Sequence, residues 1–196
     1  MLKKICTFMI ICTVLLAGCK SNEAPETAKK EDSNSRHTSE VYPLTGLEAE
    51  EGEDHRAIAV MVNNHPEARP QSGLSKADVV YEILAESNIT RLLAIYQSEF
   101  PETFGPVRSA RDYYIRLAKG YDSLFVFHGW SPEAKKLIES NYVDHLNGLK
   151  YDGTLFERAS FRKAPHNSYI TYDHVMEGAE ENGYDMDTSA PSYTFM

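Results

Sequence analysis

The sequence predicts an α/β domain in which helices flank a mixed β-sheet, preceded by a signal peptide and a disordered tether. Two patterns predict this fold class: short apolar runs rich in β-branched and aromatic residues, and segments of helical periodicity that alternate with them. The composition agrees: 42% of the 196 residues are hydrophobic and 25% charged, which excludes a wholly disordered or collagen-like chain. Three cysteines exclude a disulfide-rich scaffold, and a net charge of -9 argues against a nucleic-acid partner.

Residues 1–18 have the features of a lipoprotein signal peptide. Two lysines precede an apolar run of 13 residues at 5–17, which is too short for a membrane-spanning helix. The run ends in Leu-Ala-Gly-Cys at 16–19, which resembles a bacterial lipobox with Cys19 as the acceptor of a diacylglyceryl group. Acyl chains such as palmitate would hold the protein on the extracytoplasmic face of the cell membrane. An ordinary signal peptide with a cysteine nearby by chance is the alternative.

Residues 19–41 are predicted to be the lipidated cysteine and a flexible linker. Residues 20–40 contain nine charged side chains and no Val, Ile, Leu, Met, Phe, Tyr or Trp, so they cannot bury enough apolar surface to fold. A flexible coil of this length has an end-to-end distance of about 25 Å. We expect the linker to hold an α/β domain, residues 42–196, away from the membrane.

Three strands are predicted in the first half of the domain. Residues 57–62 are apolar throughout, which is typical of a strand buried on both faces. Two further strands at 79–84 and 89–96 are predicted to form a hairpin with a four-residue loop. This register places Glu82 opposite Arg91, which would make Arg91 a structural residue.

A helix and a short strand follow. Ser109 is predicted to cap the helix, with Asp112 completing an acidic variant of the capping box, and Gly120 is predicted to end it. The strongly apolar segment 124–128 is predicted to be a strand.

Two more helices complete the predicted domain. A Ser-Pro pair at 131–132 predicts the start of a helix that runs to about residue 141. The last helix is predicted over 173–182 and is stopped by Gly183. Residues 192–196 resemble the start of a strand, so we expect the natural domain to continue beyond them, with a frayed terminus as the alternative.

Three segments carry candidate ligand-binding side chains in this acidic domain. Arg108 and Arg111 lie at a predicted helix start, where free N–H groups and the helix dipole also attract anions. His128 follows a predicted strand, at the edge where open α/β sheets bind ligands. Residues 158–167 contain three basic side chains and no acid. The candidate anion-binding residues are Arg108, Arg111, Arg162, His166, Asn167 and His128.

Each candidate also has a structural alternative. Arg111 could pair with a carboxylate, and His128 could be hydrogen-bonded inside the fold. Trp130, the only tryptophan, could stack on a sugar or pack over the sheet. Residues 63–65, Asn-Asn-His, could bind a polar ligand or only form a turn.

No cofactor, metal site or catalytic motif is identified. The sequence contains neither a G-x-S-x-G elbow nor an H-E-x-x-H motif. His128, His166 and an aspartate could meet around a metal, but seven scattered histidines do not specify such a site.

Six segments, in this order and spacing, resemble the YerB-like lipoproteins of Gram-positive bacteria, a family with a domain of unknown function. They are Tyr-Pro-Leu-Thr-Gly at 42–46, Arg-Pro-Gln-Ser-Gly-Leu at 69–74, Ala-Asp-Val-Val-Tyr-Glu at 77–82, Thr-Arg at 90–91, Gly-Pro-Val-Arg-Ser-Ala-Arg at 105–111 and Pro-His-Asn at 165–167. The resemblance implies an extracytoplasmic lipoprotein with an α/β domain that is normally followed by a further C-terminal region. It implies no reaction and no catalytic residue.

Three functions stay open at this point. The favoured one is a non-enzymatic module that binds an anionic cell-envelope ligand, such as a wall-polymer phosphate or a peptidoglycan stem carboxylate, or a wall-associated partner protein. The second is a cell-wall hydrolase or transferase with His128 or His166 as base and Arg108 and Arg111 as charge stabilisers. The third is a scaffold with only structural ion pairs. The central expectation is that Arg108 and Arg111 form one anion-binding pocket with Arg162 and His166.

Overall fold

The structure, a computed structural model, describes residues 41–49 and 55–194. The predicted signal peptide, Cys19 and almost all of the predicted linker lie outside the described residues. Among the residues described, no helix combines the length and the apolar character that a membrane span requires.

The described residues form eight strands and four α-helices. The strands are β1 (Ile58–Asn63), β2 (Val79–Glu86), β3 (Ile89–Tyr96), β4 (Thr103–Phe104), β5 (Leu124–Phe127), β6 (His145–Asn147), β7 (Phe156–Arg158) and β8 (Ser168–Thr171). The helices are α1 (Asp112–Gly120), α2 (Pro132–Glu139), α3 (Gly148–Tyr151) and α4 (Tyr172–Asn182). Short 3-10 helices at Pro66–Ala68 and Leu74–Lys76 connect β1 to β2.

The strands form two sheets. A five-stranded sheet has the order β2-β3-β1-β5-β6, and a three-stranded sheet has the order β4-β8-β7. In the larger sheet β1 is antiparallel to β3 and parallel to β5, and β5 is parallel to β6. The larger sheet is therefore mixed, and the predicted α/β class is confirmed.

The larger sheet is covered on both faces, as the continuous apolar sequence of β1 predicts. Ala59 and Met61 face a core layer that contains the apolar sides of α1 and α2. Val60 and Val62 face the opposite layer, with side chains from the small sheet and α4. All six residues of β1 are buried, so this strand lies at the centre of the fold.

The predicted register of the β2–β3 hairpin is wrong. Its turn consists of residues 87–88 alone, both with positive φ, and a bulge interrupts the pairing just before the turn. Arg91 pairs with Ile83, and Glu82 instead accepts a hydrogen bond from Asn64 Nδ2 (3.0 Å). An added residue in one strand of a ladder shifts the partners of all residues beyond it.

The predicted cap of α1 is also wrong. The helix begins at Asp112, and Ser109 Oγ donates to His128 O (3.0 Å) instead of capping it. The backbone of Ala110 is held extended because its N–H donates to Gly129 O (2.8 Å) and its carbonyl accepts from Ser131 N (3.2 Å). These long-range hydrogen bonds delay the start of the helix.

The starts and ends predicted for the other helices are largely confirmed. Ser131 Oγ accepts from Ala134 N (3.2 Å) and Pro132 opens α2, which ends at Glu139, two residues before the predicted end. The last helix ends before Gly183, whose φ of +68° makes it a left-handed C-cap. Residues 192–194 form no strand, and the last two residues lie outside the described part.

Candidate anion-binding site

Backbone hydrogen bonds on both sides fix the segment that contains Arg108. Its N–H donates to Met61 O in β1 (2.9 Å), and its carbonyl accepts from His128 N just after β5 (3.0 Å). Since β1 and β5 are parallel, this segment crosses near the carboxyl ends of two neighbouring strands. Ligands of open α/β sheets bind at this edge.

A depression of about 140 Å³ lies beside Arg108, and we call it the arginine pocket. Its lining consists of Asn63, His65, Ala85, Glu86, Ser87, Ile89, Arg91, Arg108 and His166. The volume is below the roughly 300–1,000 Å³ of sites for whole drug-sized ligands. The arginine pocket therefore suits the charged end of a ligand.

Arg108 is partly buried and has no carboxylate within ion-pair distance among the described residues. The one hydrogen bond from its side chain to a described residue, from Nη1 to Pro165 O, is long at 3.4 Å. Burial lowers the pKa of Arg108, and the nearby Arg111 and Arg158 cations lower it further against the opposing effect of Glu86. A desolvated cation with cationic neighbours is a group that a bound anion would stabilise.

The two other arginines near this pocket are paired. Arg111 forms an ion pair with Glu86 and donates from Nη1 to Ala110 O (2.6 Å). Arg91 pairs with the same carboxylate (3.3 Å) and donates to Ser109 O (2.6 Å), while burial lowers its pKa to about 10. The hydrogen bond from Arg111 lowers the pKa of Glu86. Arg111 thus pairs with a carboxylate, which was the structural alternative to ligand binding for this residue. It does not line the arginine pocket.

Arg162 lies in an adjacent, wider depression lined also by Lys163 and His166. Its guanidinium donates to Glu67 O (2.7 Å) and Pro70 O (2.7 Å), so it holds the loop after β1. Of the four residues expected to share one pocket, the structure brings together Arg108 and His166 and leaves Arg111 and Arg162 outside that lining.

Two hydrogen bonds fix the tautomer of His166. Asn63 Oδ1 accepts from the His65 N–H (3.0 Å), so the Asn63 amide nitrogen faces His166 Nδ1 (2.8 Å). An amide nitrogen only donates, so Nδ1 accepts and the proton of the neutral ring lies on Nε2, 3.5 Å from Glu67 Oε2. Burial lowers the pKa of His166, and His65 and Arg108 lower it further.

His65, Glu67 and His166 also have potential metal-ligand atoms within 4.8 Å of one another. The Nδ1 atom of His65 accepts from Glu67 N (3.2 Å), as Nδ1 of His166 does from Asn63. In their neutral forms both rings therefore carry the proton on Nε2, and a metal at that atom would require the other tautomer. We assign these side chains to hydrogen bonding around the arginine pocket.

His128 belongs to an internal network and not to the arginine pocket. Its Nε2 accepts from Arg158 Nη2 (2.9 Å), so its Nδ1–H donates to Ser168 Oγ (2.8 Å). Burial lowers the pKa of His128, and the Arg158 cation lowers it further. Arg158 also pairs with Asp152 (2.9 Å) and donates to Asn167 Oδ1 (3.3 Å). The structure therefore places His128 and Asn167, two predicted ligand residues, in this network.

Sequence reasoning did not select Arg91 or Glu86 for the site. The signal for Arg91 was its charge within an apolar strand, since buried charges require partners. The predicted four-residue loop between the strands at 79–84 and 89–96 includes Glu86, whereas in the structure this residue is the last of β2. Its role depends on the bulge, which no local pattern indicated.

The fold and this site define a class of protein: a two-sheet α/β domain with a cationic pocket near the carboxyl edge of its larger sheet. The chain belongs to the family described as "Protein of unknown function (DUF3048) N-terminal domain", whose model matches residues 44–185.

The chain is similar to a Bacillus subtilis (strain 168) protein named "Putative lipoprotein YerB". The two are 54% identical over 187 residues, which cover 93% of this chain and 54% of that protein. The crystal structure of YerB protein from Bacillus subtilis matches with a TM-score of 0.79 and 56% identity, covering 80% of this chain and 55% of that chain. The predicted family resemblance is confirmed, and the chain spans about half the length of the curated relative that it matches.

Proposed function

We propose that this chain is a membrane-anchored extracytoplasmic lipoprotein whose arginine pocket binds an anionic group of a cell-envelope molecule. The binding function is supported above all by one observation: Arg108 is a partly buried cation with no carboxylate partner among the described residues. The lipoprotein assignment is supported by the lipobox at 16–19 and by the name of the Bacillus subtilis relative.

The chemistry of the arginine pocket favours a carboxylate or a phosphate as the bound group. A guanidinium donates two parallel hydrogen bonds to either. The one carboxylate in the lining, Glu86, is already paired with Arg91 and Arg111. A peptidoglycan stem carboxylate and a wall-polymer phosphate are the two sources that share this chemistry.

The histidine geometry favours binding over catalysis. A general base requires a free lone pair within reach of its substrate. The lone pair of His128 accepts from Arg158, and that of His166 accepts from Asn63. Neither residue of the enzyme hypothesis is therefore poised to take a proton.

We expect Arg108→Gln to weaken anion binding by about ten- to a hundredfold, because hydrogen bonds to a charged group contribute roughly 1.5–3 kcal/mol. The full chain is titrated with inorganic phosphate and, separately, with acetate, and binding is monitored by the NMR signals of the His166 ring. The two titrations give the affinities for a phosphate and for a carboxylate. Stability should change little, since Arg108 forms no ion pair with a described residue.

Arg116→Gln is the matched control, because it makes the same charge change on the exposed side of α1. It should leave the phosphate and acetate affinities unchanged. Equal losses of anion affinity in Arg108→Gln and Arg116→Gln would indicate non-specific electrostatic attraction. If the wild-type protein binds neither anion, the binding proposal is refuted and the scaffold interpretation is favoured.

The anchor has its own test in Cys19→Ala. The thiol is the only acceptor for the diacylglyceryl group in the lipobox, so the variant should lack the acyl mass and be unprocessed or released from the membrane. Cell fractionation and intact-mass measurement report both changes, with Ser21→Ala as a control that keeps the lipobox. Unchanged mass together with unchanged membrane partitioning would refute the anchor.

A further inference from the structure

We propose that a second cavity binds an uncharged saccharide ring, independently of the anion proposed for the arginine pocket. This cavity, the tryptophan pocket, has a volume of about 370 Å³, within the usual range of small-molecule sites. It lies where β6, α3 and the ends of α2 and α4 meet. The argument rests on five of its lining residues: Trp130, Asn141, His145, Asn147 and Tyr151.

The aromatic wall of this pocket is held in place by the fold. Trp130 is partly exposed, and its ring packs at 54° against Phe127, with 6.3 Å between ring centroids. Its backbone is bridged to Ala110, and the next residue is the N-cap of α2. An indole face fixed in this way can stack on the apolar C–H face of a pyranose with little loss of conformational entropy.

A second ring, Tyr151, is positioned by polar contacts. Its hydroxyl accepts from Asn182 Nδ2 (2.8 Å) and Lys150 Nζ (2.7 Å), and the Lys150 ammonium lies 4.5 Å from the ring centroid. The side chains of Asn182 and Lys150 are therefore used within the protein. These contacts hold the Tyr151 ring in place, so it forms a second preformed part of the aromatic wall of the tryptophan pocket.

Three polar groups in the lining have unused hydrogen-bonding capacity among the described residues. Asn147 is 5% exposed, and its Oδ1 accepts from Gly129 N (3.2 Å) and Leu149 N (3.1 Å), which leaves its amide nitrogen without a partner. His145 donates from Nδ1 to the Val143 carbonyl (3.0 Å), so Nε2 is a free acceptor. The Asn141 amide, the third group, has no described partner and can both donate and accept. Sugar hydroxyls need this combination of donors and acceptors.

The charges around the tryptophan pocket balance. Glu139 pairs with Lys135 (3.5 Å), and Lys150 is hydrogen-bonded to Tyr151. Besides His145, the lining thus contains one acid, Glu139, and one base, Lys150, whose formal charges cancel. Lys150 has no carboxylate partner among the described residues but donates to Tyr151 and Asn182, whereas the Arg108 side chain has one long hydrogen bond to a described residue. An uncharged ligand follows from this balance, and a saccharide is the neutral ligand that combines an apolar ring face with many hydroxyls.

The test uses the single tryptophan of the chain, whose fluorescence reports on this pocket alone. We expect chitotriose to shift the emission of the full chain and to protect Trp130 from acrylamide quenching at about millimolar concentration. Asn141→Gly should weaken binding about fivefold, because it removes one amide hydrogen bond. Glycine tolerates the φ of +53° at this position, so the variant keeps its fold. Trp130→Ala, followed by calorimetry, should abolish binding.

Arg108→Gln is the control that separates the two sites. It should leave chitotriose binding unchanged, and inorganic phosphate should leave the Trp130 emission unchanged. No emission or heat change with chitotriose would overturn the saccharide proposal, as would equal binding by wild type and Asn141→Gly. Loss of chitotriose binding in Arg108→Gln would also overturn it, because the sugar would then occupy the arginine pocket.

Discussion

Gly105→Ala should lower the free energy of unfolding by about 4 kcal/mol, combining backbone strain with overpacking. Gly105 has a φ of +151°, which residues with a side chain rarely adopt. An added Cβ would lie 2.5 Å from Tyr169 Cδ1 and 3.0 Å from Ser168 O. Backbone hydrogen bonds in both directions between Gly105 and Ser72 oppose any relaxation (2.8 and 3.2 Å).

Urea denaturation of the full chain measures this loss. Gly120→Ala is the matched control, since an added Cβ there meets nothing within 4 Å and the residue ends a helix. Gly120→Ala should change the free energy of unfolding by no more than about 1 kcal/mol. In a Tyr169→Ala background the cost of Gly105→Ala should fall but not vanish, because the backbone strain remains. Similar costs for Gly105→Ala and Gly120→Ala would contradict this account of the segment before Arg108.

Gly148→Ala should destabilise the domain by about 3 kcal/mol, at the upper end of overpacking costs. Its Cβ would lie 2.5 Å from Cγ of the His128 ring and closer still to Nδ1. The ring cannot retreat easily, because Phe156 lies against it at 5.8 Å between centroids. Any shift would also break its hydrogen bonds to Ser168 and Arg158.

A double-mutant cycle with His128→Ala isolates the clash. Once the imidazole is removed, the added methyl of Gly148→Ala has room, and its cost should drop below about 1 kcal/mol. An undiminished cost in the His128→Ala background would show that the effect arises from the α3 backbone and not from the ring contact.

Local patterns predicted those elements whose stabilising contacts lie close in sequence. The apolar run of β1 predicted a strand buried on both faces, since a strand covered by two layers requires apolar side chains in both directions. The Ser-Pro start of α2 and the Gly183 end of α4 were also predicted, because a cap is formed within a few residues of the helix end.

Two predictions failed where contacts distant in sequence outweighed local preference. The β2–β3 register depends on a bulge that has no local signature in the sequence. Ser109 is a good cap residue, yet the backbone of Ala110 hydrogen-bonds to Gly129 and Ser131 and stays extended. A single cap contributes about 1 kcal/mol, which such a set of tertiary hydrogen bonds can exceed.

The sequence by itself determined the α/β class, most helix ends and the family to which the chain belongs, because these follow from periodicity, capping and motif spacing. Only the tertiary structure decided which arginine of the 105–111 motif is left without a carboxylate among the described residues. Arg108 and Arg111 are three residues apart in one motif, yet Glu86 from the distant hairpin pairs with Arg111 and not with Arg108. Ion pairing depends on where folding brings the opposite charge, and no local pattern carries that information.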